Sequence, residues 1–239
     1  MSTSVLATGD CEQKVYDGVP KYILDSYPGF HGKRILDVGC GSGDLGGALQ
    51  TMGNECYGIT ISQKEAEAAQ SKLTQVIAGD LETMQTLPFP AAFFDVVICA
   101  DVLEHLRDPK RLLQTLKTHL KPDGILIASI PNVANIMVRM NLLRGRFDYE
   151  KEGILDNTHL RFFTLNTAKN LLSSAGYAIE NIQFTNWNWR FPAPLRWVLK
   201  TLDREWEGRQ RLTRYWPGLF ATQFIFRVTL KDGLSQCRS

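Results

Sequence analysis

The stretch Arg34-Ile35-Leu36-Asp37-Val38-Gly39-Cys40-Gly41-Ser42-Gly43-Asp44-Leu45-Gly46 constrains this chain more than any other. Ile35, Leu36 and Val38 read as a short buried strand, the glycines as a sharp turn, and the residues from Asp44 as a helix start. The alternating glycines let a ligand approach the backbone with no Cβ in the way. The helix that follows directs its positive N-terminal end back at the turn. The segment therefore suits a polar or anionic cofactor.

Gly41, Gly43 and Gly46 also satisfy G-x-G-x-x-G, the dinucleotide fingerprint. Two features oppose that reading. Asp37 sits close to where a pyrophosphate would lie and would repel it. The next strand ends Tyr57-Gly58-Ile59-Thr60, without the acid a dinucleotide site places on the ribose. An acidic strand end followed by alternating glycines better suits a cationic ligand group. Asp37-x-Gly39-x-Gly41-x-Gly43 resembles the first motif of the class I S-adenosyl-L-methionine (SAM)-dependent methyltransferases, in which this loop wraps the methionine part of the cofactor.

Length and composition set the frame. A chain of 239 residues is long enough for one α/β domain with its own core. A net charge of +2 gives no basic field for nucleic acid, and none is expected as a partner. Cys11, Cys40, Cys56, Cys99 and Cys237 are odd in number and scattered, which fits a reducing cytoplasm rather than a disulfide framework. No apolar run reaches membrane-spanning length, and residues 1–18 carry no signal-peptide pattern.

Taken in order, Lys14 to Tyr27 reads as an amphipathic helix broken near Gly18-Val19-Pro20. Its Tyr16, Tyr22, Ile23 and Tyr27 are placed to cover a pocket or to pack on the sheet. Strands are expected at 34–38, 55–60, 75–78, 94–100 and 125–130, with helices at 44–52, after a Ser62–Glu65 capping box, and at 108–120. A turn is expected at 121–124. An apolar helix over 134–143, a Thr164-capped helix through Ala175, and strands at 177–184 and 223–230 follow. The expected fold is α/β: a Rossmann-like, seven-strand, mostly parallel sheet with an antiparallel last strand and helices on both faces. The domain reading is one methyltransferase domain over 1–239, with an N-terminal helical cap at 1–30 and substrate-side inserts at 132–165 and 185–222. Ligands in such sheets bind beyond the carboxyl ends of the strands. Asp37, Thr60, Asp80 and Ala100-Asp101 all fall there.

The family resemblance assigns roles to these ends. Asp37, with Gly39, Cys40, Gly41 and Gly43, faces the methionine moiety. Thr60 and Ile61 lie at the ribose, where most of the family place Asp or Glu; Gln63 can assist, as in cyclopropane-fatty-acid-synthase-like methyltransferases. Gly79-Asp80-Leu81 resembles the adenine-binding third motif. Cys99-Ala100-Asp101-Val102-Leu103-Glu104-His105-Leu106 resembles the segment after strand four, with Ala100, Asp101 and His105 near the departing methyl. Tyr16 is placed over the cofactor by the N-terminal cap.

Oxygen methylation needs a proton removed, which His does near neutral pH. His159 is the first candidate base, with Asp156 to orient it, and His105 the second. The competing role for His159 and Arg161 is bracing a substrate lid. Asp156-x-Thr158-His159-Leu160-Arg161-Phe162-Phe163-Thr164 resembles a signature of a bacterial methyltransferase branch, many of whose members are associated with glycan or natural-product assembly. The four histidines lack metal-site spacing, so no metal is expected.

The implied function is SAM-dependent transfer of methyl to an oxygen of a small-molecule acceptor, a sugar or natural-product intermediate, leaving S-adenosyl-L-homocysteine. The alternatives are carbon or nitrogen methylation of a quinone, lipid or other metabolite, a nicotinamide-dependent oxidoreductase, and a non-catalytic protein of the same fold. In 194–216, Leu195, Val198, Leu199, Leu202 and Trp206 share a helical face flanked by Arg196, Lys200 and Arg204. That stretch reads as a helix on the sheet edge, a lid, a dimer patch, or a peripheral-membrane or lipid-linked-substrate contact. Monomer and homodimer both remain open.

Overall fold

The computed structural model describes residues 21–26, 29–185 and 211–231. Its sheet contains β1 (Arg34–Val38), β2 (Glu55–Thr60), β3 (Gln75–Ala78), β4 (Phe94–Ala100), β5 (Leu120–Pro131), β6 (Tyr177–Thr185) and β7 (Gln223–Leu230). The strand order is β3-β2-β1-β4-β5-β7-β6. Neighbours from β3 to β5 pair in parallel, and β7 runs antiparallel to both β5 and β6. The seven-strand expectation holds, antiparallel last strand included.

Alternation along the central strands builds a core on each face. Val96 and Ile98 of β4, with Ile35 of β1 and Ile127 of β5, meet Ile23 of α1 (Lys21–Ser26) and Leu45 and Leu49 of α2 (Asp44–Thr51). Val97 and Cys99, with Leu36 and Val38, meet Leu112, Leu113 and Leu116 of α4 (Pro109–His119) and Ala168 and Leu172 of α6 (Leu165–Ser174). Burial on both faces explains why β4 reads as an almost continuous apolar run. Helices on both faces leave only the strand ends open to a ligand.

Several boundaries differ from expectation. β5 begins at Leu120 and carries the anticipated 121–124 turn as an irregularity, the register jumping from Phe94–Leu120 to Val96–Ile125. The helix α5 covers Ile136–Leu143, and only Val138 in it is buried. Ser62 caps α3 (Gln63–Gln70) by accepting from the Glu65 amide, but the Glu65 carboxylate serves Thr60, so the reciprocal half of the box belongs to another partner. The Thr164 cap of α6 does form a reciprocal box, with Thr167.

The segments after β5 and before β7 are clasped together. Asn132 and Asn135 are both essentially buried. Asn132 Nδ2 donates to the carbonyls of Gly218 and Ala221 at 3.2 and 2.8 Å, and Asn135 Nδ2 donates to that of Ala221 at 2.9 Å. These carbonyls belong to α7 (Pro217–Phe220) and its end. The Oδ1 atoms of the two asparagines accept from the amides of Ala134 and Met137. The cap over 1–20 and the insert over 186–210 lie outside the described residues.

The clasp is testable by denaturation. Asn132→Ala removes the side-chain donor of the Gly218 carbonyl, one of the two donors of the Ala221 carbonyl and the acceptor of the Ala134 amide, and is expected to cost about 2 kcal/mol in stability. Urea unfolding of the variant against the parent checks it, and an unchanged midpoint would show the clasp to be incidental.

Candidate active site

Asp37 ends β1 and is 3% exposed. No cation pairs with it among the described residues. A main-chain contact at Gly46, in the first turn of α2, relieves it only in part, and burial pushes its carboxyl up to about 7. The turn beyond it is held tightly. The amides of Gly39 and Cys40 both donate to the Ile59 carbonyl, at 2.8 and 2.9 Å. Gly39 has φ +74°, and a Cβ there would stand 2.8 Å from Cγ2 of Val102. Gly43 has φ +79°, and its Cβ would meet that of Ala69 at 2.9 Å. These two glycines thus serve close packing as well as ligand approach.

The Cys40 side chain turns into the core beside Gly58, and burial, followed by the Asp37 charge, drives its thiol up to about 12. With its amide already used and its thiol inside, Cys40 shapes the turn from behind.

At the end of β2, Thr60 is buried and its hydroxyl donates to Glu65 Oε2 at 2.7 Å. The expected lone hydroxyl is therefore backed by a carboxylate one helical turn on. The Ile61 side chain beyond it is 61% exposed. After β3, Asp80 Oδ1 accepts from the Glu82 amide at 2.8 Å, and the Asp80 carbonyl accepts from the amides of Thr83 and Met84. Asp80 thus fixes its own turn. The half-buried Leu81 packs on the core, its carbonyl taking a hydrogen bond from Arg111.

Beyond β4, the half-buried Ala100 leads to Asp101, a non-glycine residue at φ +54°. The Asp101 carboxylate accepts from Tyr22 of α1 at 2.5 Å, from Ser129 of β5 at 2.9 Å and from Gln223 of β7. Its amide donates to the Ser129 hydroxyl at 2.9 Å. Burial, then the Asp101 charge, raises the Tyr22 phenol far above its ordinary range, so it stays a donor. Asp101, read from sequence as a group beside the methyl, instead ties the N-terminal helix to the strand ends. Tyr22 fills the covering position in the described structure, while Tyr16 lies outside it.

The short 3-10 turn Leu103–His105 comes next. The segment after α5 folds back on it: the amides of Leu160 and Arg161 donate to the Glu104 carbonyl, and the Arg161 guanidinium donates to the Arg107 carbonyl. This brings His159 against His105, with ring centroids 4.8 Å apart. Nδ1 of His159 faces the Ile154 carbonyl at 3.1 Å, and Nδ1 of His105 faces the carbonyl and hydroxyl of Thr158, each at 3.2 Å. A protonated Nδ1 on each ring satisfies these oxygens and leaves Nε2 as the lone-pair nitrogen. Burial, then the neighbouring His105, lowers the pKa of His159, so it is neutral near pH 7.

Asp156, the expected orienter of His159, also holds Thr158. Its Oδ1 takes the amide and hydroxyl of Thr158 at 2.8 and 2.7 Å. It reaches His159 through its charge, while the Ile154 carbonyl sets the ring.

Glu104 is the residue that sequence reading missed. It is 1% exposed, and neither carboxylate oxygen has a hydrogen-bond partner among the described residues. Burial, then the charges of Asp101 and Asp156, raise its carboxyl well above the usual range. The signal was an acid inside the apolar run Val102-Leu103-Glu104-His105-Leu106. Donor atoms of Glu104, His105 and His159 lie within 4.8 Å of one another, close enough for the three to hold a metal ion. The fold, and not the sequence interval, joins His105 to His159.

An acidic residue near the end of β1 and a three-glycine turn at the carboxyl edge of this seven-strand sheet fit a Rossmann-like fold of the methyltransferase type. The chain belongs to the methyltransferase-domain family, whose profile matches residues 14–182. It is 38% identical over 120 residues to the ubiquinone biosynthesis O-methyltransferase of Actinobacillus pleuropneumoniae serotype 7, covering 46% of this chain and 51% of the relative. It is 27% identical over 176 residues to the mitochondrial ubiquinone biosynthesis O-methyltransferase of Schizosaccharomyces pombe, covering 71% and 63%. The chain spans about half the length of the bacterial relative. Among solved structures, a SAM-dependent methyltransferase from Archaeoglobus fulgidus aligns with TM-score 0.59 and 20% identity, over 87% of this chain and 92% of that one. A TehB-like SAM-dependent methyltransferase from Corynebacterium glutamicum aligns with TM-score 0.56 and 15% identity, over 90% and 89%.

Asp37 generates a stability prediction. Its folded pKa of about 7 lies above its unfolded value of 3.8. Protonated Asp37 therefore favours the folded state at low pH, and that contribution disappears as pH rises through 7. Asp37→Asn removes the buried charge. The variant is expected to match the parent near pH 4 and to melt several degrees higher at pH 8 without ligand. A constant offset across that range would show that Asp37 is already ionised and compensated.

Proposed function

We propose that this protein is a SAM-dependent O-methyltransferase acting on a small hydroxylated acceptor of the phenol or quinol type. The observation that carries the cofactor half is Asp37, a buried carboxylate without a cation beside a three-glycine turn in a chain of the methyltransferase family. A cationic ammonium group there would supply the missing countercharge. Thr60, backed by Glu65, and Asp80-Leu81 stand at the ends of β2 and β3 for the ribose and the adenine. Bound there, the cofactor supplies an electrophilic methyl group on a sulfonium.

The chain's own residues then have three tasks. The Asp101 network holds Tyr22 over the strand ends. The 3-10 turn and the 156–163 segment align the acceptor, since in-line displacement depends chiefly on alignment. His159, neutral and with Nε2 unprotonated, is the candidate to take the acceptor's proton, with His105 beside it. The relatives' names favour a quinone-type acceptor over the sugar or natural-product acceptor suggested by the Asp156–Thr164 signature.

Calorimetric titration with S-adenosyl-L-homocysteine is expected to show micromolar binding, lost in Asp37→Asn. No binding to the parent would overturn the cofactor reading. Radiolabelled methyl transfer is then compared between a dihydroxybenzene acceptor and sugars. Transfer to sugars alone would replace the acceptor class. His159→Ala is expected to keep homocysteine-adduct affinity and to lower turnover by roughly two to four orders of magnitude. Unchanged turnover would remove His159 from the chemistry.

A further inference from the structure

We propose that Glu104, His105 and His159 form a binding site for a divalent transition-metal cation of the zinc class. Three independent features converge on it. Glu104 brings a fully buried carboxylate whose two oxygens find no donor among the described residues. Leaving such a group unpaired is costly, and a cation is the ligand that a carboxylate between two imidazoles accepts. Both rings have Nδ1 against oxygen atoms, at Ile154 for His159 and at Thr158 for His105. That arrangement, with the outer nitrogen donating to a main-chain carbonyl, fixes metal-ligating imidazoles and directs Nε2 inward. The surrounding charge also agrees: Asp101 and Asp156 act electrostatically on Glu104, and both draw positive charge toward the cluster.

The geometry is that of a site awaiting small adjustment. The donor atoms lie within 4.8 Å of one another. Donors on a tetrahedral ion with bonds of about 2.1 Å stand roughly 3.4 Å apart, so closure requires about an ångström of side-chain movement. Two histidines and one glutamate make a three-ligand set, which leaves a fourth position open for water or an acceptor oxygen. His159 has one lone-pair ring nitrogen, so it is a proton acceptor in the metal-free protein and a ligand in the loaded one, and the turnover loss expected for His159→Ala follows from either role. An acceptor hydroxyl in the open position then gives its proton to solvent as its oxygen joins the ion. This last role rests on the O-methyltransferase reading; the cation site itself does not.

The test uses the full chain, stripped with chelator and titrated with Co2+, whose visible absorption reports ligand number, and with Zn2+ by calorimetry. One equivalent is expected to bind. Glu104→Gln and His159→Ala are each expected to weaken binding by more than about 100-fold, a loss at least as large as second-sphere changes produce. Far-ultraviolet circular dichroism and melting temperature identify a variant that fails to fold, in which case His105→Gln takes its place. Absence of stoichiometric binding to the parent, or binding indifferent to folded variants, would overturn the site. Titration of the same samples with S-adenosyl-L-homocysteine separates the two readings: metal binding without nucleoside binding sinks the methyltransferase reading alone, and the converse sinks the metal site alone.

Discussion

The carboxylate of Asp101 is the interaction on which the open edge of the sheet depends. It collects donors from a helix near the N-terminus, from the fifth strand and from the seventh, elements far apart in the chain. Hydrogen bonds to an ionised acceptor are about twice as strong as neutral ones. Together they compensate a left-handed backbone at a residue with a Cβ, which by itself costs on the order of 1–3 kcal/mol. The short turn that carries Glu104 and His105 follows directly on this residue. The same carboxylate holds Tyr22, so the N-terminal helix and the strand ends share one anchor.

Asp37 shows the opposite economy. It has one main-chain contact and, among the described residues, no cation, beside an apolar cluster. A group arranged in this way weakens the empty protein and suits one that binds a positively charged partner. Glu104 repeats the pattern beyond β4, with both oxygens unsatisfied among the described residues. Two buried acids with so few donors among the described residues are features of a binding site, since a core built only for stability would replace them with apolar side chains.

Much of the architecture was legible because it is local. Hydrophobic runs gave β1, β2, β3, β4 and β7 at the residues observed, and Ser62, Asp108 and Thr164 marked helix starts through side-chain caps. The strand ends followed from the strands. What escaped were side-chain directions and long-range partners. Cys40 lies in the ligand turn yet points inward, and Thr60 gains a carboxylate from the next helix. Asp156 looked like an orienter for His159 by spacing, whereas a main-chain carbonyl performs that task. Glu104 had no role of its own in the sequence, because burial without donors is a property of the assembled fold. His105 and His159 meet only because the Glu104 carbonyl captures the amides of Leu160 and Arg161.

The asparagine clasp carries a consequence for how this scaffold can diversify. Asn132 and Asn135 lie at the root of the segment after β5, and the carbonyls they hold lie at the root of the segment before β7. Neither root can be exchanged for foreign sequence without leaving buried groups of the other stranded. The two therefore form one heritable module: a change of acceptor would arise by drift of side chains at the outer ends of both segments, or by replacement of both together, and not by transplanting either alone.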